Sequence, residues 1–186
     1  MGGPRKGFDA AVIDGEVLVG LECRLSCDDV AALVDEYAPA VVAIDSPCAC
    51  ASAGCKARDA ELRLNREVCG IRWTPEASKL DGNPYYAWIL EGLALYELLA
   101  EHDVEVIEVF PTASWTRWHG PREKRSRAEW SREALAGLPL SGMPARTNQD
   151  QRDAIAAAAS AREFDAGRTD AFGEIVVPKE RKRSPS

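Results

Sequence analysis

Histidine is scarce in this chain, with 2 in 186 residues, His102 and His119. A histidine-based triad or a histidine-rich zinc centre therefore has little to draw on. Long apolar runs are missing too. The richest one is broken by Glu91 and Glu97, well short of the roughly 20 residues a bilayer demands. No apolar stretch follows Met1-Gly2-Gly3-Pro4-Arg5-Lys6, so no secretory signal is expected, and a soluble cytoplasmic protein is. The six cysteines, Cys23, Cys27, Cys48, Cys50, Cys55 and Cys69, contain no Cys-x2-Cys pair. They read as free thiols in a reducing compartment rather than as a disulfide scaffold or a zinc cage. There is no glycine-rich phosphate loop and no Gly-x-Ser-x-Gly elbow, which speaks against a nucleotide-dependent kinase and a serine hydrolase. A net charge of -7 excludes a polycation, so nucleic acid would be met by a local basic patch or through metal ions.

What is present is ordinary for one globular domain: 46% apolar and 28% charged residues. The domain is expected over residues 1–178, with a disordered basic tail over 179–186. No internal repeat is visible. Phe8–Ile13, Asp14-Gly15 and Val17–Leu21 predict a β-hairpin. Ser26-x-x-Asp29 predicts a capping box and a helix stopped at Pro39. Val41–Ile44 is a wholly apolar run and reads as a strand buried on both faces. Strand, helix, strand points to an α/β sheet. Further along, the pattern predicts a charged helix over 56–67 and a loop over 70–81. A long helix starts at Asn83-Pro84, and a strand over 104–110 is stopped by Pro111. Helices capped by Ser126 and Thr147 follow, and a short strand lies near 173–177.

Chemistry is expected at carboxylates without a packing role. Asp45 ends an apolar strand, where the carboxyl ends of α/β strands line the functional crevice; the plainer reading is a turn aspartate before Pro47. Glu108 sits among Ile107, Val109 and Phe110 and, if buried, needs a cation, a metal or an arginine, so a structural ion pair is the competing reading. Asp150 and Asp153 lie one turn apart on one face of the last helix, where they either cap amides or join Asp45 around a divalent ion. Oxygen-only ligands favour Mg²⁺ or Mn²⁺ over zinc. Arg117, Arg122, Lys124, Arg125, Arg127 and Arg132 alternate with Trp115, Trp118 and Trp130, which suits a nucleic-acid backbone with unpaired bases, or else a solvated helix face with tryptophans turned inward.

Five stretches in order resemble the domain-of-unknown-function family 429, a group of predicted nucleases with a ribonuclease H-like fold. They are Val42-Ala43-Ile44-Asp45-Ser46-Pro47, Arg58-Asp59-x-Glu61-Leu62-Arg63, Ile107-Glu108-Val109-Phe110-Pro111-Thr112-Ala113, Asp150-x-x-Asp153-Ala154-x-x-Ala157 and Phe172-Gly173-Glu174-Ile175-Val176-Val177-Pro178. The resemblance covers nearly the whole chain. It implies a mixed sheet in the order 3-2-1-4-5 flanked by helices, with Asp45, Asp150 and Asp153 as catalytic metal ligands. Glu108 falls in a family motif of unassigned role, and Arg58 with Asp59 in another that suits a polar gate. The expected function is a nuclease acting on DNA or RNA with Mg²⁺ or Mn²⁺. The substrate would be held by Arg58, Arg117, Trp118, Lys124, Arg125 and Arg127. A non-catalytic nucleic-acid-binding module on the same fold is the rival expectation. In the family, the stretch resembling Gly2–Phe8 follows a first, central strand. That strand and its aspartate are therefore expected to be missing here because the sequence starts later than the natural chain, with the domain N-terminally incomplete, the hairpin cut off from the sheet, and little or no activity as it stands.

Overall fold

A computed structural model describes residues 7–180. Strands β1 (Phe8–Asp14) and β2 (Val17–Leu25) pair antiparallel, with Asp14 opposite Val17. The two-residue turn is thus Gly15-Glu16, one position later than the sequence suggested. Gly15 supplies the positive φ of 57° that a tight hairpin turn needs. Helix α1 (Cys27–Tyr37) opens on the expected box: Ser26 caps the Asp29 amide and Asp29 accepts from the Ser26 amide. Next come β3 (Val41–Ile44), α2 (Asp59–Glu67), α3 (Ala87–Leu99) and β4 (Glu105–Val109). Asn83-Pro84 opens a short 3-10 turn that leads into α3 rather than the helix itself, and Tyr85 stays exposed.

Pro111 does more than stop β4. It is the first residue of α4 (Pro111–His119), a helix the sequence pattern did not suggest, because Thr112 to His119 carries no clear apolar stripe. Proline at the first helical position, with an amide that needs no partner, was the available signal. Then follow α5 (Arg127–Ala136), capped by Ser126, and α6 (Gln149–Asp165). The cap of α6 is Asn148, not Thr147, in a reciprocal box with Gln151. This displacement matters. It places Asp150 and Asp153 inside the helix, and the capping is done by other residues. Finally β5 (Thr169–Phe172) and β6 (Ile175–Pro178) form a second hairpin turned at Gly173 (φ 64°). Lys179 continues it through a 2.9 Å bond to the Arg168 carbonyl, and Glu180 pairs with Arg117 at 3.1 Å. Residues 181–186 of the expected tail lie outside the described residues.

The strands form two separate sheets: β1-β2 alone, and β3-β4-β6-β5 with β3, β4 and β6 parallel and β5 antiparallel. The architecture is mixed α/β, a mixed sheet flanked by helices. As expected, the hairpin has no strand partner in the main sheet among the described residues. It is held instead by α1 and α6, and at its tip by Leu18 donating to the Ser141 carbonyl (3.0 Å) and Ser141 donating to the Glu16 carbonyl (2.8 Å). One core packs Phe8, Val30, Val34, Ile44, Leu95 and Leu99 together; another packs the fully buried Trp115 and Trp130 with Ala156 and Ala159. β3 departs from expectation. Only Ile44 is buried, while Val41, Val42 and Ala43 are half-buried. The reason is an open slot along one edge of β3, described next.

Candidate active site

Parallel pairing sets Ile44 opposite Glu108, so the residues around the end of β3 and β4 share one corner of the sheet. Glu108 is 5% exposed and fully occupied. Arg58 grips both its oxygens, Nη1 to Oε2 at 2.7 Å and Nη2 to Oε1 at 2.5 Å, and the Cys48 amide donates to Oε2 at 2.9 Å. Behind Arg58, its Nε donates to Glu61 Oε1 at 3.1 Å, and Glu61 accepts from the Thr74 amide and hydroxyl. The fork geometry of guanidinium on carboxylate makes this a strong charge-assisted contact. Burial works against the charge on Arg58, but Glu108 and Glu61 overcome it and raise its pKa above the usual value. The same environment pushes the Cys48 thiol up to about 12, first by burial and then by the neighbouring Glu108. The thiol is thereby held in its protonated form at neutral pH. This is the ion-pair reading of Glu108. Neither Arg58 nor Glu108 presents a free polar edge to a substrate.

Asp45 is placed differently. It follows Ile44 at the end of β3 and lines a cavity of about 950 Å³ together with Asp150 and Asp153. Among the described residues no arginine grips it. Burial, then the nearby Asp153 charge and more weakly Glu108, push its pKa up to about 6, with Arg127 opposing. Asp153, 5% exposed, accepts from Trp115 Nε1 (3.2 Å), Gln149 Nε2 (3.0 Å) and Arg127 Nη2 (2.9 Å). Sequence reasoning missed Trp115 and Gln149 as its partners; the four-residue spacing from Gln149 to Asp153 was the visible clue. Asp150 sits on the cavity rim and is not isolated. Beside Asp45, the Ser46 hydroxyl is buried without a hydrogen-bond partner, while Tyr96 donates to the Ser46 carbonyl at 3.0 Å.

The three aspartates thus meet at one cavity, and Arg127 joins them. The rest of the expected substrate surface is largely tied up within the protein. Arg117 pairs with Glu180 and Asp170, and Arg125 with Glu133 at 3.1 Å. Trp118 stacks edge-on against the buried Trp115 at 5.6 Å. Lys124 is exposed. For a magnesium or manganese ion the oxygen chemistry is right, but the arrangement is incomplete. Among the described residues no group of three potential ligands is poised around a common point, and both Asp153 oxygens already serve protein donors. These residues alone do not form a resident ion site. All six cysteines are free thiols, and no described helix is long and apolar enough to cross a membrane.

A family model, described as a protein of unknown function (DUF429), matches residues 5–180. No curated protein matches the chain, and no solved structure does. The chain belongs to the DUF429 family.

Proposed function

We propose that this DUF429 member is a hydrolase of phosphodiester bonds in nucleic acid, built on a ribonuclease H-like frame, with Asp45 as its proton-handling carboxyl. One observation carries the reading: Asp45, just past the end of β3, lines one cavity with Asp150 and Asp153 and is gripped by no arginine among the described residues, and burial pushes its pKa up to about 6. Such a group is ionised at pH 7 yet basic enough to take a proton from water as that water attacks phosphorus. The water oxygen forms the new P–O bond, the ester oxygen leaves with its electron pair, and the water proton rests on Asp45. Arg127, with a side chain 48% exposed and steered by Asp153, is positioned to meet the charge on the phosphoryl oxygens. Asp153 acts as a positioning residue that also keeps Asp45 basic. Mg²⁺ or Mn²⁺ enters this reading only with oxygen ligands from beyond the described residues, and no step above runs through it.

The test uses the full chain on labelled DNA and RNA oligonucleotides, with EDTA, Mg²⁺ or Mn²⁺. Weak cleavage that rises through about pH 6, and is lost in Asp45→Asn, is expected. Cleavage unchanged by that substitution would sink the assignment. Binding without cleavage, weakening steeply with salt, would turn the reading to the non-catalytic module, which the exposed Arg122, Lys124 and Arg132 would then serve.

A further inference from the structure

The Asp153 carboxylate owes its orientation to an amide that is itself set by a buried arginine. Oδ1 accepts from Gln149 Nε2 at 3.0 Å and from Trp115 Nε1 at 3.2 Å, which leaves Oδ2 to Arg127 Nη2 at 2.9 Å. By shape alone, either end of the Gln149 carboxamide fits against Asp153. Its oxygen, however, is claimed from the other side. Oε1 accepts from Arg152 Nη2 at 3.1 Å and lies 3.1 Å from the Ser131 hydroxyl. A guanidinium carries donors only, so the oxygen turns to Arg152 and the amide nitrogen to Asp153. A flip would set donor against donor at Arg152 and oxygen against carboxylate at Asp153.

Arg152 is costly to keep where it is. It is 5% exposed and lies near the start of α6, where the helix dipole disfavours a cation. None of its hydrogen bonds goes to a carboxylate. Nε donates to Ser131 Oγ at 2.8 Å, Nη1 to the Thr147 carbonyl at 2.6 Å and Nη2 to Gln149. Ser131 in turn lies 2.8 Å from the Arg127 carbonyl. One buried guanidinium therefore reaches Arg127 twice, at its backbone through Ser131 and at its side chain through Gln149 and Asp153. The Arg127 side chain is 48% exposed, and among the described residues it makes no hydrogen bond beyond the one to Asp153. Its remaining donors form a fork that suits two oxygens of one phosphoryl group.

We infer that Gln149 and Arg152 are positioning residues for Arg127, locking the turn of the Asp153 carboxylate so that the guanidinium is set for a phosphoryl oxygen before substrate arrives. The inference rests on the phosphodiesterase reading and adds to it the source of that preorganisation. Neither residue touches substrate.

Gln149→Glu tests it, because the new carboxylate keeps the contact with Arg152 but offers Asp153 an oxygen in place of an amide. The urea midpoint is expected to hold or rise, since Arg152 gains an ion pair. By NMR, the Trp115 indole N–H signal, which reports on the same Asp153 oxygen, shifts. The Arg127 Nη protons, held distinct by Asp153, merge as the guanidinium turns freely. On a labelled oligonucleotide with Mn²⁺, kcat falls at least tenfold while KM changes less than threefold, because charge placement in the transition state is lost rather than binding. Arg152→Lys is the second variant should the first fail to fold. Its single nitrogen cannot serve Ser131, Thr147 and Gln149 together, so the same signals move in the same direction. Indole and guanidinium signals left at their wild-type positions overturn the inference, whatever the activity. So does a loss of kcat that a lower urea midpoint accounts for. If the signals move while the wild-type chain cleaves nothing, the positioning of Arg127 stands and the phosphodiesterase reading falls.

Discussion

Asp45 and Glu108 occupy one corner of the sheet and live under opposite rules. Glu108 is bound on both oxygens by Arg58, itself backed by Glu61, and the whole chain of contacts is satisfied. Around Asp45, burial and the charges of Asp153 and Glu108 raise the pKa, while Arg127, held on Asp153, opposes them without gripping the carboxyl. Both were legible as acids in or just past apolar strands; Glu108 is buried and Asp45 half-buried. What separates them is the partner: Arg58 grips Glu108 on both oxygens, and no described arginine does the same for Asp45. A buried carboxylate matched by a guanidinium is structure; one left among its own kind stores free energy in its protonation state, which chemistry can use.

The comparison breaks most violently at Arg58. Replacement by Met strands Glu108 and Glu61 without a cation, and an expected loss of about 3–5 kcal/mol would appear as a lower urea midpoint. If the loss is under 1 kcal/mol, the network is not what holds this corner. Asp45 gives the next effect, with a definite sign. Its pKa is near 3.8 when unfolded and about 6 when folded. As pH rises from 4 to 7 the unfolded chain gives up its proton first, so stability present below pH 4 is lost through about pH 6. The loss is on the order of 3 kcal/mol. Asp45→Asn should flatten that part of the stability–pH curve, and identical curves would remove the contrast with Glu108. Packing follows the same divide. A Cβ at Gly173 would lie 2.9 Å from the Ala60 Cβ, on the helix that begins just after Arg58, at a φ of 64°. Gly173→Ala should therefore cost about 1–2 kcal/mol. Ala158→Leu, facing the slot, should stay within about 0.5 kcal/mol. The smallest effect belongs to Arg127. Its removal should move the Asp45 titration further upward, as followed by carbon NMR of the carboxyl, since Arg127 is a charge that now holds it down.

Local chemistry made much of this molecule readable. The Ser26 and Ser126 caps, the first hairpin and the β3 run are each written in adjacent residues whose physics is short-range. α4 escaped because its tryptophans pack on α5 and α6, a tertiary fact that leaves no helical stripe in the sequence. Half of the second hairpin escaped because Thr169-Asp170-Ala171 has a polar, weakly β-forming composition and is a strand only because β6 pairs with it. In the site, Asp45, Asp150 and Asp153 line one cavity, but the cation cage expected of them is not formed among the described residues. The neutralisation of Arg117 and Arg125 was not legible, because Asp170, Glu180 and Glu133 lie far along the chain or on another helix.

The hairpin that stands apart from the main sheet has a mechanical consequence. Fastened at its tip to Ser141 and elsewhere carried on the flanks of α1 and α6, it shares no ladder with the other four strands. Its loosening therefore breaks side-chain packing and a few tip bonds and spares the hydrogen-bonded frame. The amides of β1 and β2 should then exchange together, at a lower opening free energy than those of β4 and β6, as one cooperative leaf on a stiffer trunk.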